Sequence, residues 1–135
     1  IIMLKKMKKY AHPSIPKITC NQSTVRLNRD SVNVVLDKFN TVPQYIELFI
    51  DDEKHFLAVK FLNKPSSQSR KIFTVHDSKN KQEIKAALIN INKENYNWIT
   101  KTVGKKMVAS FKTINGIDYL VGTPVNQNNQ RKEAK

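Results

Sequence analysis

Between Gln44 and Leu62 the chain alternates apolar and polar side chains, breaks at Asp52-Glu53-Lys54, and then resumes the alternation. Successive side chains of a strand point to opposite faces, so a period of two dictates a β-hairpin with one buried face. Ile46, Leu48, Ile50, Leu57, Val59 and Phe61 make one aliphatic face and are the expected core. Tyr45, Glu47, Phe49, Phe56, Ala58 and Lys60 fall on the other. Any fold of this chain has to accommodate that two-faced hairpin.

The flanking segments carry shorter patterns. Ile18-Thr19-Cys20 and Thr24–Asn28 read as a strand pair across the polar turn Asn21-Gln22-Ser23. Val32, Val35, Leu36 and Phe39 recur at i, i+3, i+4 and i+7, the stripe of an amphipathic helix that Pro43 keeps from continuing. After the loop Lys64–Arg70, Ile72–Val75 reads as a short strand. Asn80 with Glu83 fits an N-cap and N3 pair, and Ile84, Ala87, Leu88 and Ile91 repeat the helical stripe. Trp98–Val103 reads as a strand, while Lys105–Thr113 and Ile117–Thr123 flank Ile114-Asn115-Gly116, a hairpin signal.

Strand, helix and hairpin therefore recur in that order. The expected fold is α+β, an antiparallel sheet with two helices on one face, in a tandem strand–helix–hairpin arrangement. The two hairpins start 62 residues apart, at Gln44 and Lys106. At that offset Ile46, Leu48 and Ile50 fall on Val108, Ser110 and Lys112, so the apolar faces are out of phase.

Charge suggests a partner. The 135 residues carry 24 Lys+Arg against 11 Asp+Glu, a net charge of +13. Residues 1–17 form a basic arm with Lys5, Lys6, Lys8, Lys9 and Lys17, no acid, and two helix-disfavouring prolines, Pro13 and Pro16. Residues 18–125 form the single expected domain, and 126–135 a polar and basic tail whose composition predicts disorder. Only Arg26, Arg29, Arg70 and Arg131 are Arg. Lys is a flexible point charge suited to phosphates, whereas Arg supplies the fork that reads base edges. A non-enzymatic protein that binds DNA or RNA mainly through the backbone is the leading expectation. Its candidate contacts are Lys5, Lys6, Lys8 and Lys9 of the arm, with Arg26, Tyr45, Phe49, Phe56, Lys60, Lys106 and Lys112. Aromatics among cations on an open sheet face suit base stacking beside tracked phosphates. Arg26 and Asn28 are expected near the first hairpin. The competing reading has Tyr45, Phe49 and Phe56 packed under a helix, the arm or a second subunit, and the Lys row merely solvated.

Other chemistries lack a signature. Three glycines, Gly104, Gly116 and Gly122, cannot build a dinucleotide or phosphate loop. Cys20 stands alone and His12, His55 and His76 are scattered, so no zinc spacing occurs. No cofactor, metal, small-molecule substrate or membrane is therefore expected. With no signal peptide and one cysteine, the expected location is the cytoplasm. Glu47, Asp51 and Asp52-Glu53-Lys54 offer a metal-dependent nuclease alternative, yet a tight turn accounts for the same residues. Another alternative is a phage or mobile-element accessory protein that binds an acidic host protein.

The segment Pro16–Leu62 resembles the N-terminal half of a set of short bacterial and phage proteins. The pattern comprises Ile18-Thr19-Cys20, Val25-Arg26-Leu27-Asn28, a helix ending near Leu36-Asp37-Lys38-Phe39, Pro43-Gln44-Tyr45-Ile46-Glu47-Leu48 with Asp51, and Leu57-Ala58-Val59-Lys60. More distantly it is similar to the AbrB/SpoVT type of DNA-binding hairpin, which implies DNA binding and an intertwined homodimer. The chain departs from that type in lacking Gly-Arg before the first strand and in having a second half without a counterpart.

Overall fold

Four sequential hairpins supply every strand of the computed structural model, which describes residues 15–125. β1 (Lys17–Cys20) pairs with β2 (Thr24–Leu27), and β3 (Tyr45–Asp51) with β4 (Phe56–Leu62). β5 (Arg70–His76) pairs with β6 (Ile84–Asn90), and β7 (Lys106–Ile114) with β8 (Ile117–Pro124). Helix α1 (Arg29–Phe39) follows β2, and α2 (Lys93–Thr102) follows β6. The strands close into one antiparallel barrel in the order β1-β2-β6-β5-β3-β4-β8-β7.

The β3–β4 hairpin is paired as its alternation requires, with Ile46 opposite Phe61, Leu48 opposite Val59 and Ile50 opposite Leu57. This aliphatic face turns inward. Ile46, Leu57 and Val59 are fully buried beside Ile18, Leu27, Ile89, Met107 and Leu120 from the other hairpins. Leu48, Ile50 and Phe61 are partly buried against that core.

The expected α+β sheet with both helices on one face is not what forms. Both ends of a barrel expose its interior, and the two helices cover opposite ends. Arg29 of α1 meets Asp77 and Glu83 in the β5–β6 connection, while Lys38 meets Asp118 at the start of β8. Phe39 packs on Phe61 and Phe111, with ring centroids 5.6 and 5.9 Å away. At the other end, Trp98 Nε1 of α2 donates to Asp52 in the β3–β4 turn at 2.9 Å, and Arg70 donates to Asn95 at 2.9 Å.

The second helix is also displaced. Ile84–Asn90 is strand β6, held between β2 and β5, and Asn80 lies in the preceding turn, where its side chain accepts from Gln82 N at 3.2 Å. The run fits period two as well as the helical period, since Ala87, Ile89 and Ile91 are all buried. A strand neighbour on each side decides between them. The segment expected as a strand, Trp98–Val103, belongs to α2 and its C-cap. Asn92 caps that helix, and Ile99 is its buried residue.

The order is thus hairpin–helix–hairpin, twice. Exchanging β1–β4 for β5–β8 leaves every neighbour in the ring unchanged, so the barrel has a pseudo-two-fold arrangement in which the hairpins of the halves alternate. Residues match at an offset of 64 from Thr24–Asn40 to Leu88–Gly104. Asn28 and Asn92 are the N-caps, Asn33 matches Asn97, and buried Val35 matches buried Ile99. Asn40 at φ 65° matches Gly104 at φ 119°, both left-handed exits. The 62-residue offset fails on the hairpin faces because Met107, not Val108, is the inward counterpart of Ile46.

Candidate nucleic-acid interface

Closing the barrel turns every second strand residue to the outside. Outward side chains of adjacent strands lie about 4.8 Å apart, so register alone determines which of them can act together. Tyr45, Phe49, Phe56 and Lys60 share the outer face of β3–β4. Phe49 stands opposite Ala58, which adjoins Val121, and the low step lets the Phe49 ring reach Tyr119 edge-on at 5.8 Å. Lys112 on β7 pairs with that same Tyr119.

This patch carries acids as well as cations. A cleft of about 480 Å3 is lined by Phe49, Phe56 and Tyr119 together with Asp51, Asp52 and Glu53. Glu47 lies opposite Lys60 and accepts from the Ser66 hydroxyl at 2.7 Å. Asp51 Oδ1 accepts from the N–H groups of Glu53 and Lys54, each at 2.9 Å, and Asp52 holds Trp98. These acids build the turn and anchor α2, and their field opposes a phosphate at the Phe49–Phe56 end. Among the described residues no group of three or more His, Cys, Asp or Glu side chains could hold a metal ion.

Arg26 is not beside the β3–β4 hairpin, contrary to expectation, and neither is Asn28. β2 lies between β1 and β6, so Arg26 pairs with Thr19 and Leu88, while Asn28 caps α1. Its register joins it to a different expected residue. Lys106 is opposite Thr19, Thr19 opposite Arg26, Arg26 opposite Leu88, and Leu88 opposite Phe73. Five strands thus present one outer row about 19 Å long. Lys71 flanks it, with its Nζ 5.8 Å from the centroid of the Phe73 ring, and pairs with Tyr45 across the β5–β3 seam.

The strands that carry this row differ in charge from β3 and β8. β1, β2, β5 and β6 contain no acidic residue, whereas Glu47, Asp51 and Asp118 all lie on β3 and β8. Elsewhere the acids consume cations. Arg29 pairs with Asp77 at 2.9 Å and Lys38 with Asp118 at 3.1 Å. Asp77 is held below the usual carboxylate range by the Lys79 backbone N–H and then by the Arg29 side chain. Asp118 is held down by the Thr113 hydroxyl and then by Lys38. Arg26, Lys71 and Lys106 have no such acid within salt-bridge distance among the described residues.

The expected cations therefore fall into two groups, Lys60 with Lys112 and Arg26 with Lys106, on different arcs of the barrel. Lys5, Lys6, Lys8 and Lys9 lie outside the described residues. Sequence reading misses Lys71 and Phe73, because a helical reading of Ile84–Ile91 takes from β5 the neighbour that completes its face. The alternation Arg70-Lys71-Ile72-Phe73-Thr74-Val75, with Ile72 buried, was the available signal.

No family model, curated protein or solved structure matches this chain. Among the described residues no helix is long and apolar enough to cross a membrane. Cys20 is buried on β1, and burial pushes its thiol up to about 11, away from the thiolate a nucleophile needs.

Proposed function

We propose that this chain binds nucleic acid through the outer face of β7-β1-β2-β6-β5, with Arg26, Lys106 and Lys71 on the phosphates and Phe73 on a base. The observation that carries the reading is the unbroken row Lys106–Thr19–Arg26–Leu88–Phe73 on strands that, apart from their turns, hold no acid. A polyanion laid there meets only cations, hydroxyls and apolar side chains, and each phosphate neutralised releases condensed counterions. Phe73 is 44% exposed on the end of the row, so a base can stack on the part of its ring that Lys71 leaves open. Lys17 also leads from the basic arm onto the edge of this face, opposite Val108. Lys60 and Lys112 extend the positive surface around the barrel. The acidic rim beside Phe49 and Phe56 favours Arg26 over that end as the contact centre.

Fluorescence anisotropy of a labelled oligonucleotide, titrated between about 50 and 200 mM salt, tests the reading. Binding should weaken steeply over that range, and removing one phosphate-contacting cation, by Arg26→Ala or Lys106→Ala, should lower the salt slope by about 1. No binding at low salt, or a slope unchanged in both variants, would overturn it.

A further inference from the structure

We infer that the groove beside Phe73 receives an unpaired base, which makes the chain a reader of single strands rather than of duplex. This inference rests on the nucleic-acid reading and names the form of its ligand. The seam between β3 and β5 is the shortest in the barrel, with Tyr45 opposite Lys71 and Ile46 opposite Arg70 as its only paired positions. It closes at Ile72, whose N–H donates to the Gln44 carbonyl at 2.9 Å. The next linker residue is Pro43, which has no N–H with which to extend the ladder. Two residues along β5, Thr74 turns the same backbone edge outward, with no backbone partner there among the described residues.

The chains part at this point, and a groove of about 450 Å3 opens between the linker and β5, lined by Thr41, Gln44, Lys71, Phe73 and Thr74 above a floor of Ile72 and Ile84. Its chemistry is that of a base site. An aromatic ring forms one wall, a lysine stands beside it, and the Gln44 amide and Thr41 hydroxyl can meet the polar edge of a base, while the Thr74 hydroxyl is engaged with the His76 ring at 3.1 Å. None of its lining residues is acidic. It also continues the basic row, which ends at Phe73. In a duplex the bases are stacked and paired, so a base can reach such a groove only from a strand that can splay it outward.

Anisotropy with labelled oligothymidylate and oligouridylate, against a duplex of equal length, separates the outcomes. The single strands should bind at least about tenfold more tightly than the duplex. Phe73→Ala should weaken single-strand binding about 5- to 150-fold, the worth of one stacked base, and leave duplex binding unchanged. Phe73→Tyr keeps the ring and should restore the affinity. Equal or tighter duplex binding, or a Phe73→Ala effect shared by both forms or absent from both, would overturn the inference while leaving the nucleic-acid reading standing. If the unaltered protein binds no nucleic acid at low salt, both fail together.

Discussion

Asn28 and Asn92 hold equivalent places in the two halves of the barrel, each accepting a backbone N–H three residues on, from Ser31 at 2.9 Å and Asn95 at 2.7 Å. They differ in what else they hold. Asn28 Oδ1 also accepts from Lys17 N at 3.0 Å, and its amide donates to the Ile15 carbonyl at 3.1 Å. One side chain thus ties the start of α1 to the start of β1.

Loss of an N-cap side chain costs about 0.5–2 kcal/mol, and each further hydrogen bond lost adds about 0.5–1.5 kcal/mol. Asn28→Ala should therefore destabilise the protein more than Asn92→Ala, by about 1 kcal/mol or more. Urea unfolding of both variants measures the difference. Equal losses would show that the bonds to Ile15 and Lys17 carry no net stability.

Gly122 faces the barrel interior, where an added Cβ would lie 2.9 Å from Met107 Sδ, 3.1 Å from Ile18 Cδ1 and 3.2 Å from Met107 Cβ. Met107 and Ile18 are fully buried, so neither has open space to enter. Gly122→Ala should cost about 1–3 kcal/mol, the usual range for overpacking, and Gly122→Val more. A variant as stable as the parent would show that β8 can move outward freely.

Asp77 and Asp118 have depressed carboxyl values in the folded protein, so each adds stability that is full above the unfolded carboxylate value of about 3.9. That contribution is lost as the pH falls through the folded value. Asp77→Asn and Asp118→Asn should lower the Tm at pH 7, and the gap to the parent should close on acidification. Thermal melts across the acid range provide the check, and a gap that widens toward acid would contradict the assignment.

Trp98 is the one tryptophan of the chain, 49% exposed, and its indole N–H is held by Asp52 across the end of the barrel. Asp52→Ala should shift the fluorescence emission and cost about 0.5–1.5 kcal/mol. Unchanged emission would mean that α2 does not rely on this contact.

Local pattern made much of the architecture legible. The Gln44–Leu62 hairpin, its inward face, the pair Ile18–Cys20 and Thr24–Leu27, helix α1 and the Asn115-Gly116 turn depend on neighbours a few residues away. Period, cap and turn chemistry encode such elements directly. Asn115 and Gly116 even adopt the positive φ values, 52° and 81°, that the dipeptide favours. The second half was misread for a physical reason. Ile84–Ile91 is apolar enough to satisfy either period, and Lys93–Thr102 has a weak stripe in which Ile99 is the one buried side chain. The 64-residue echo of Asn28 in Asn92 was present in the sequence, though insertions of different length between elements conceal it.

The candidate site shows the same division. Which strand residues face outward, and that cations outnumber acids, were properties of the sequence, because alternation and composition are local or summed quantities. That Arg26 lies in line with Lys106 and Phe73 rather than with Phe49 could come only from the closed ring. Residues 47 and 80 positions apart meet there through strand order, and strand order depends on which hairpins bury each other's apolar faces. No local signal reports that choice.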